Sequence, residues 1–207
     1  MSPNATPVRY RLPLFPLPVV LFPGAFLPLH IFEPRYRRMV ARCLEMDRRF
    51  GLVYHDPDVH GPFSVEAERI GCIAEIMEFK PLPDGRSLLM ARGRSRFRME
   101  DGLDSDEEYF EAVVSEVPDT TSASADLGGR RLRTAERFSR ALVGLGGEED
   151  PIPEIDVSRD VSFQIAAAIR ISPEWQQALL ETGEEADRLD RIDRLLDSIV
   201  DATEAGP

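Results

Sequence analysis

The side chains that most often carry nucleophilic or acid–base chemistry are poorly placed for it in this 207-residue sequence. Lys80 is the only lysine, and Pro81 follows it. A phosphate-binding loop of the G-x-x-x-x-G-K-[ST] type needs a lysine followed by serine or threonine, so the sequence excludes one. Lys80 would also be the only candidate base for a serine–lysine pair, and it lies beside a proline in a predicted hairpin. We therefore expect neither an ATPase nor a protease.

The other reactive residues form no recognised catalytic or metal-binding pattern. The segment Gly93–Phe97 approaches the G-x-S-x-G nucleophile turn, but it ends in a bulky aromatic residue where that strained turn needs glycine. The spacing of the three histidines fits no standard metal signature: His30, His55 and His60. We predict a chain that is not an enzyme and that holds no metal and no cofactor.

One predicted strand carries an alternating row of arginines: Arg92, Arg94, Arg96 and Arg98. A period of two places these four side chains on one face of the strand. Because guanidinium groups bind carboxylate and phosphate through two parallel hydrogen bonds, the row could bind anions or acidic peptides. The alternative, which we favour, is a solvent-exposed face whose arginines pair with acidic neighbours such as Glu75 or Glu78.

Proline-punctuated apolar segments near the start of the chain must position any binding surface. Val19–Phe22 and Leu27–Phe32 have the composition of short strands, and Pro23-Gly24 supplies the backbone angles of a turn between them. Glu33 and Pro34 then suit the first turn of a helix, and the residues that follow have apolar side chains at helical spacing. The sequence therefore predicts a strand, a turn, a second strand and a helix that packs on the sheet.

Four aromatic residues in this region are candidates for binding an extended apolar peptide: Phe22, Phe26, Phe32 and Tyr36. Packing in the core is the competing interpretation, because aromatic side chains at strand and helix seams usually bury their area there. Phe22 and Phe26 flank the Pro-Gly turn, and a turn cannot easily be covered by its own strands. We expect these two side chains to be the accessible ones.

Composition limits the classes of partner and compartment. The net charge of -12 and the pI near 4.8 disfavour nonspecific binding of nucleic acid, which requires a surplus of cations on the contact face. No apolar stretch is long enough to span a membrane, and the polar first residues lack the apolar core of a signal peptide. We expect a cytoplasmic protein in which Cys43 and Cys72 are buried thiols.

The opening motif resembles the N-terminal domain of Lon proteases, in the stand-alone form that some bacteria carry. The matching residues are Leu14-Phe15-Pro16-Leu17, Val20-Leu21-Phe22-Pro23-Gly24, Leu27-Pro28-Leu29 and Phe32-Glu33-Pro34-Arg35-Tyr36. Further similarity is found in Gly71–Ile76, in the Leu82–Gly85 turn and in Gly93–Arg98. The resemblance implies an α+β fold: a PUA-like β-barrel with one packed helix, followed by a C-terminal helical bundle. With the small, polar segment 118–129 as a linker, we predict domains at residues 10–118 and 128–203.

The resemblance also implies a function. It predicts a non-catalytic module that recognises unfolded or tagged protein substrates by their exposed hydrophobic segments, with delivery to a protease or chaperone as a further step. The catalytic serine and lysine of full Lon enzymes have no matching positions in this sequence. The alternative is an RNA-binding PUA-like protein that uses the strand from Arg92 to Arg98. The sequence leaves the oligomeric state open, a weak homodimer included.

Overall fold

The computed structural model describes residues 8–120, 126–144, 153–169 and 171–204, with side chains up to residue 200. The chain divides into two compact units, Met1–Pro118 and Asp119–Pro207. None of the described helices is both long enough and apolar enough to cross a membrane.

The first unit contains six strands and two helices among its described residues. The strands are β1 (Arg9–Leu17), β2 (Phe26–Ile31), β3 (Arg49–Tyr54), β4 (Ile70–Pro81), β5 (Ser87–Gly102) and β6 (Phe110–Val117). The helices are α1 (Pro34–Glu45), between β2 and β3, and the single turn α2 (Pro57–His60), between β3 and β4.

The strands form one sheet in the order β2-β5-β4-β3-β1-β6, and β5 also pairs with β6. Five strands therefore pair in a closed cycle that runs from β5 through β4, β3, β1 and β6 back to β5. Only the β1–β3 pair is parallel. β2 lies outside this cycle, antiparallel to the first half of β5, and its other edge ends the sheet.

The two faces of the sheet support separate hydrophobic cores. One lies under α1, which contributes Tyr36, Met39, Val40 and Cys43 from one face of the helix. The other contains side chains that point into the cycle of strands, including Leu14, Phe97 and Met99. Each face of the sheet therefore carries its own hydrophobic core, while the side chains on one face of β2 are exposed.

The predicted turn, the strand after it and the helix are confirmed, but the first predicted strand is wrong. Gly24 has a φ of +85°, and the Ala25 N–H donates to the Phe22 carbonyl at 3.1 Å, which closes the turn. Val19–Phe22 is not a strand; the first strand is β1, upstream. β1 tolerates its prolines because it pairs with β6 in its first half and with β3 in its second, so each half has an edge without a partner.

The second unit contains four described helices: α3 (Leu127–Gly144), α4 (Val161–Ala168), α5 (Pro173–Glu181) and α6 (Glu185–Glu204). Side-chain caps begin two of them, because Asp160 accepts from the Phe163 N–H and Ser172 accepts from the Trp175 N–H. Both α3 and α4 pack against α6.

A fully buried arginine on α6 joins several segments of this second unit. The Arg188 guanidinium donates to Asp160 at 2.6 Å, to the Ser162 hydroxyl at 2.8 Å and to the Thr182 carbonyl at 2.7 Å. It also lies over the Phe163 ring, 4.0 Å from the centroid. A buried charge is tolerated only when it is paired and hydrogen-bonded, as this one is.

Replacing this arginine is expected to destabilise the second unit. Arg188→Leu leaves the Asp160 carboxylate without its cationic partner in a mostly buried position, which costs about 3–5 kcal/mol. The control Arg191→Leu changes an exposed arginine on the same helix and should alter stability by less than about 0.5 kcal/mol. Denaturant unfolding followed by circular dichroism measures both; equal effects of the two substitutions would contradict the assigned role of Arg188.

A close backbone approach fixes the loop before β2 against β5. The Gly93 N–H donates to the Ala25 carbonyl, and the Gly24 N–H donates to the Gly93 carbonyl, each at 2.9 Å. A Cβ atom added at Gly93 would collide with the carbonyl oxygen of Phe22. The position therefore requires glycine for space rather than for an unusual φ angle.

A methyl group at this position should be costly. We expect Gly93→Ala to lower the free energy of unfolding by about 1–3 kcal/mol, because backbone atoms must move to make room. Gly102→Ala, at the other end of β5, places its Cβ at an ordinary 3.4 Å from Val65 and should cost less than about 0.5 kcal/mol. Thermal unfolding of the two variants measures the difference, and equal midpoints would show that the loop yields easily.

Candidate functional site

Two of the four predicted peptide-binding aromatics are exposed, and two are buried. Phe26 and Phe32 expose 60% and 59% of their surface, whereas Phe22 exposes 1% and Tyr36 exposes 4%. The expectation that Phe22 is accessible is wrong, because its segment lies against β5 at Gly93. Tyr36 points from α1 into the core and packs against Phe15, with the two rings tilted and their centroids 4.2 Å apart. Only Phe26 and Phe32 can contact a partner directly.

The two exposed aromatics lie on one face of the edge strand. Side chains along β2 alternate, with Leu27, Leu29 and Ile31 turned towards the core under α1 and the intervening residues exposed. The exposed residues face the same side as their cross-strand neighbours on β5. We call this surface the edge face; it consists of Phe26, Pro28, His30, Leu88 and Met90, with Phe32 immediately after β2. Phe26 and Phe32 lie roughly 20 Å apart along it, at about 3.4 Å per residue.

The same strand also presents unpaired backbone groups. Because the Ala25 carbonyl bonds to Gly93, the alternate residues Leu27, Leu29 and Ile31 direct their N–H and C=O groups towards β5. Phe26 and His30 consequently direct theirs to the free edge. Pro28 offers only a carbonyl there, since its nitrogen carries no hydrogen. An extended segment could pair with this edge while its side chains lie on the edge face.

The predicted row of four arginines is divided between two faces of β5. Arg92 pairs with Glu75 and Arg96 with Cys72, and residues 72 and 75 point to opposite sides of β4. A register shift between these pairs inserts one extra residue in β5, which transfers Arg96 and Arg98 to the other face. Arg92 and Arg94 therefore share the side of the edge face, whereas Arg96 and Arg98 do not.

The four arginines differ in their surroundings as well. Arg94 pairs with Glu75 at 3.2 Å, and Arg98 pairs with Glu68 at 3.5 Å. Arg96 is 2% exposed and donates to the Pro118 carbonyl at 3.3 Å. The sequence-based alternative of pairing with Glu75 thus describes Arg94, while a continuous anion-binding row is not formed.

A small open pocket lies where Arg92 and Arg94 meet β3. Its volume is about 300 Å³, and we call it the fork pocket. The residues that line it are Gly24, Arg49, Ile73, Arg92, Gly93, Arg94, Ser95 and Glu116. It adjoins the edge face, because the Arg92 guanidinium lies over the Phe26 ring, 5.7 Å from its centroid.

The acidic group of the fork pocket already has polar partners. Glu116 accepts a hydrogen bond from the Ser95 hydroxyl at 2.8 Å and another from the Tyr10 hydroxyl at 3.5 Å. Burial, and next the negative charge of Glu116, raises the pKa of Tyr10 to about 12. Tyr10 therefore stays a neutral donor at physiological pH.

Sequence reasoning missed several residues of these two surfaces. Leu88 and Met90 could have been found, since their alternation along the strand matches that of the β2 residues opposite them. Arg49 had no signal in the sequence, because its approach to Arg92 depends on how β3 and β5 both flank β4.

The histidines do not form a metal site. His55 is buried and its Nε2 lies 2.8 Å from the Gly61 carbonyl, while the His60 ring is 5.5 Å from the His55 ring. His30 lies apart from them, on the edge face next to Phe32. Among the described residues, no three His, Cys, Asp or Glu side chains are grouped so that they could hold a metal ion.

Both cysteines are buried thiols. Cys43 belongs to the core face of α1, and Cys72 is fully enclosed in β4. Burial is the main cause that raises the pKa of each thiol from 9.0 to about 12. Since the thiolate is the nucleophile, neither residue is suited to covalent chemistry at neutral pH.

We expect neither thiol to react with a chromogenic disulfide reagent at pH 8 until the protein is unfolded, when both react.

The raised native pKa values also mean that the unfolded state loses these protons first, so stability should fall as the pH rises from about 9 towards 12. Replacing both residues with alanine should flatten that alkaline loss. Rapid labelling of the native protein would contradict the assignment.

Comparison with known proteins gives a consistent result. The family model of the ATP-dependent protease La (LON) substrate-binding domain matches residues 11–198. The Lon protease of Paraburkholderia phytofirmans is 30% identical over 90% of this chain, and that of Xanthomonas oryzae pv. oryzae is 24% identical over 96% of it. In each case the chain spans about a quarter of the length of the protease, 24%.

Solved structures agree in fold. A Lon N-terminal domain protein from Xanthomonas campestris superposes with a TM-score of 0.65 at 25% identity, covering 88% of this chain and 96% of that one. The N-terminal domain of a Mycobacterium avium complex Lon protease superposes with a TM-score of 0.68 at 16% identity, covering 91% and 98%. The second likeness supports the mixed α and β fold alone.

Proposed function

This chain belongs to the family of Lon protease substrate-binding domains, which are non-catalytic modules, and on that basis we propose that it binds exposed apolar segments of unfolded or tagged protein substrates at its edge face. The observation that carries the proposal is the pair of exposed aromatics, Phe26 and Phe32, on the open edge strand of the sheet. Fold alone would not identify a ligand, because function depends on the site that a fold presents.

The edge face offers two kinds of interaction at once. Its exposed apolar side chains gain free energy when a partner removes them from water. The backbone groups of Phe26 and His30 can hydrogen-bond to any extended peptide, whatever its sequence. Backbone pairing with side-chain contacts on alternate residues suits a module that must accept many different unfolded chains.

The association with a protease is part of the same proposal. The chain spans about a quarter of its full-length Lon relatives, so the recognition step is the share of their function that we assign to it. Delivery of bound segments to a protease or chaperone would follow from that role. We assign recognition to residues 10–118, whose cyclic strand pairing supports a PUA-like barrel, and treat residues 128–203 as a separate helical bundle.

RNA binding is less well supported. No more than two of the four strand arginines share a face, so the extended basic stripe that phosphate groups require is not formed. The net charge of -12 adds long-range repulsion of a polyanion.

Replacing both exposed aromatics should remove substrate binding without unfolding the protein. We expect the double variant Phe26→Ser and Phe32→Ser to bind a fluorescent, permanently unfolded model protein about 10–100-fold more weakly than wild type, as for loss of two anchor residues. Fluorescence anisotropy measures the affinity, and circular dichroism checks the fold.

The matched control carries Met46→Ser and Val59→Ser. These side chains are as exposed, 68% and 67%, and belong to the same unit, but lie outside the edge face. Their variant should bind like wild type. If both double variants bind equally well, the edge face is not the binding surface.

A further inference from the structure

The fork pocket arises from the way in which β5 changes partners. Along one edge, β5 pairs with β2 through Arg92 and with β6 from Arg96 onwards. Between these points β2 and β6 diverge, as the two branches of a fork, and Arg94 and Ser95 lie in the gap. The pocket is thus a product of strand topology and lies at the end of β2 that carries Phe26.

Two guanidinium groups in this pocket have no anionic partner. Arg94 is paired with Glu75, and Glu116 is held by Ser95 and Tyr10. By contrast, neither an ion pair nor a hydrogen bond joins the guanidinium of Arg49 or Arg92 to another residue of the described chain. The Arg49 Nε–H is out of contact with solvent and meets no acceptor. A guanidinium group without an anionic partner can bind a carboxylate that enters the pocket.

From these contacts we propose that the fork pocket binds the side-chain carboxylate of an aspartate or glutamate that neighbours an apolar residue in the bound segment. The inference rests on the proposed function and narrows its substrate class to apolar segments with an adjacent acidic residue. Arg49 and Arg92 supply the hydrogen bonds, and Phe26, beneath the Arg92 guanidinium, contacts the apolar neighbour. Guanidinium groups match carboxylates in charge and geometry.

The overall negative charge of the protein opposes the proposed preference for an acidic peptide. With a net charge of -12, the chain as a whole should repel an acidic peptide relative to a neutral one. Tighter binding of the acidic peptide therefore requires a local cationic site. A hydrophobic surface alone predicts the opposite order of affinities.

The experiment compares two peptides that differ only in one side chain. Both contain an apolar strand-forming segment with acetylated and amidated ends, and one position is either glutamate or glutamine. Wild type should bind the glutamate peptide about tenfold more tightly at low ionic strength, as expected for charge-assisted hydrogen bonds. The preference should shrink as salt is added. Isothermal titration calorimetry measures each affinity.

Substitutions then locate the preference. Arg92→Gln should reduce the ratio of the two affinities to less than about twofold, because the charged contact with the glutamate is lost. Arg49→Gln should act in the same direction. Arg98→Gln is the matched control, since Arg98 belongs to the same strand but faces the other side and pairs with Glu68; it should retain the full preference.

The remaining outcomes separate the two proposals. Equal affinities for the two peptides in wild type would overturn the carboxylate site while leaving peptide recognition intact. Failure to bind either peptide would overturn both. A third peptide contains the glutamine and a free C-terminal carboxylate. If this peptide binds tightly and both amidated peptides bind weakly, the pocket binds chain ends, and the side-chain assignment is contradicted. Tight binding of single-stranded RNA that is lost in Arg92→Gln would assign the two arginines to phosphate instead.

Discussion

The pairing of β5 with three other strands is the constraint on which this structure depends. One edge of β5 pairs with β4. Its other edge pairs first with β2 and then with β6. The closed cycle, the position of β2 outside it and the pocket at the divergence of β2 and β6 all result from this arrangement. Register shifts along β5, against β4 and against β6, accompany this change of partner.

Local signals allowed parts of the fold to be predicted. The turn at Pro23-Gly24, the strand that follows and the helix beginning at Pro34 depend on backbone preferences within a few residues, and all three are present. The division of the arginine row could not be predicted. The division depends on one extra residue in β5 at the register shift against β4. The position of that shift is determined by pairing with strands that are distant in sequence.

The same contrast holds for the edge face. The sequence predicted that Phe22 and Phe26 would be accessible, whereas Phe26 and Phe32 are the exposed pair and Phe22 is buried. The burial of Phe22 follows from the missing side chain at Gly93, which lets the preceding loop approach β5. A phenylalanine can be part of the core or exposed, depending on which face of the strand it lies on. Which of these applies is decided by packing between residues that are distant in sequence.

Pro28 limits the pairing of this edge strand with other copies of the same chain. An open edge strand with aromatic neighbours is a template for stacking identical chains into fibrils and aggregates. Pro28, in the middle of that edge, lacks an N–H donor. One backbone hydrogen bond is therefore lost between each pair of neighbouring chains in such a stack, whereas pairing with one foreign segment loses it only once. This edge is thus less suited to repeated pairing with copies of the same chain than an edge with every N–H donor present.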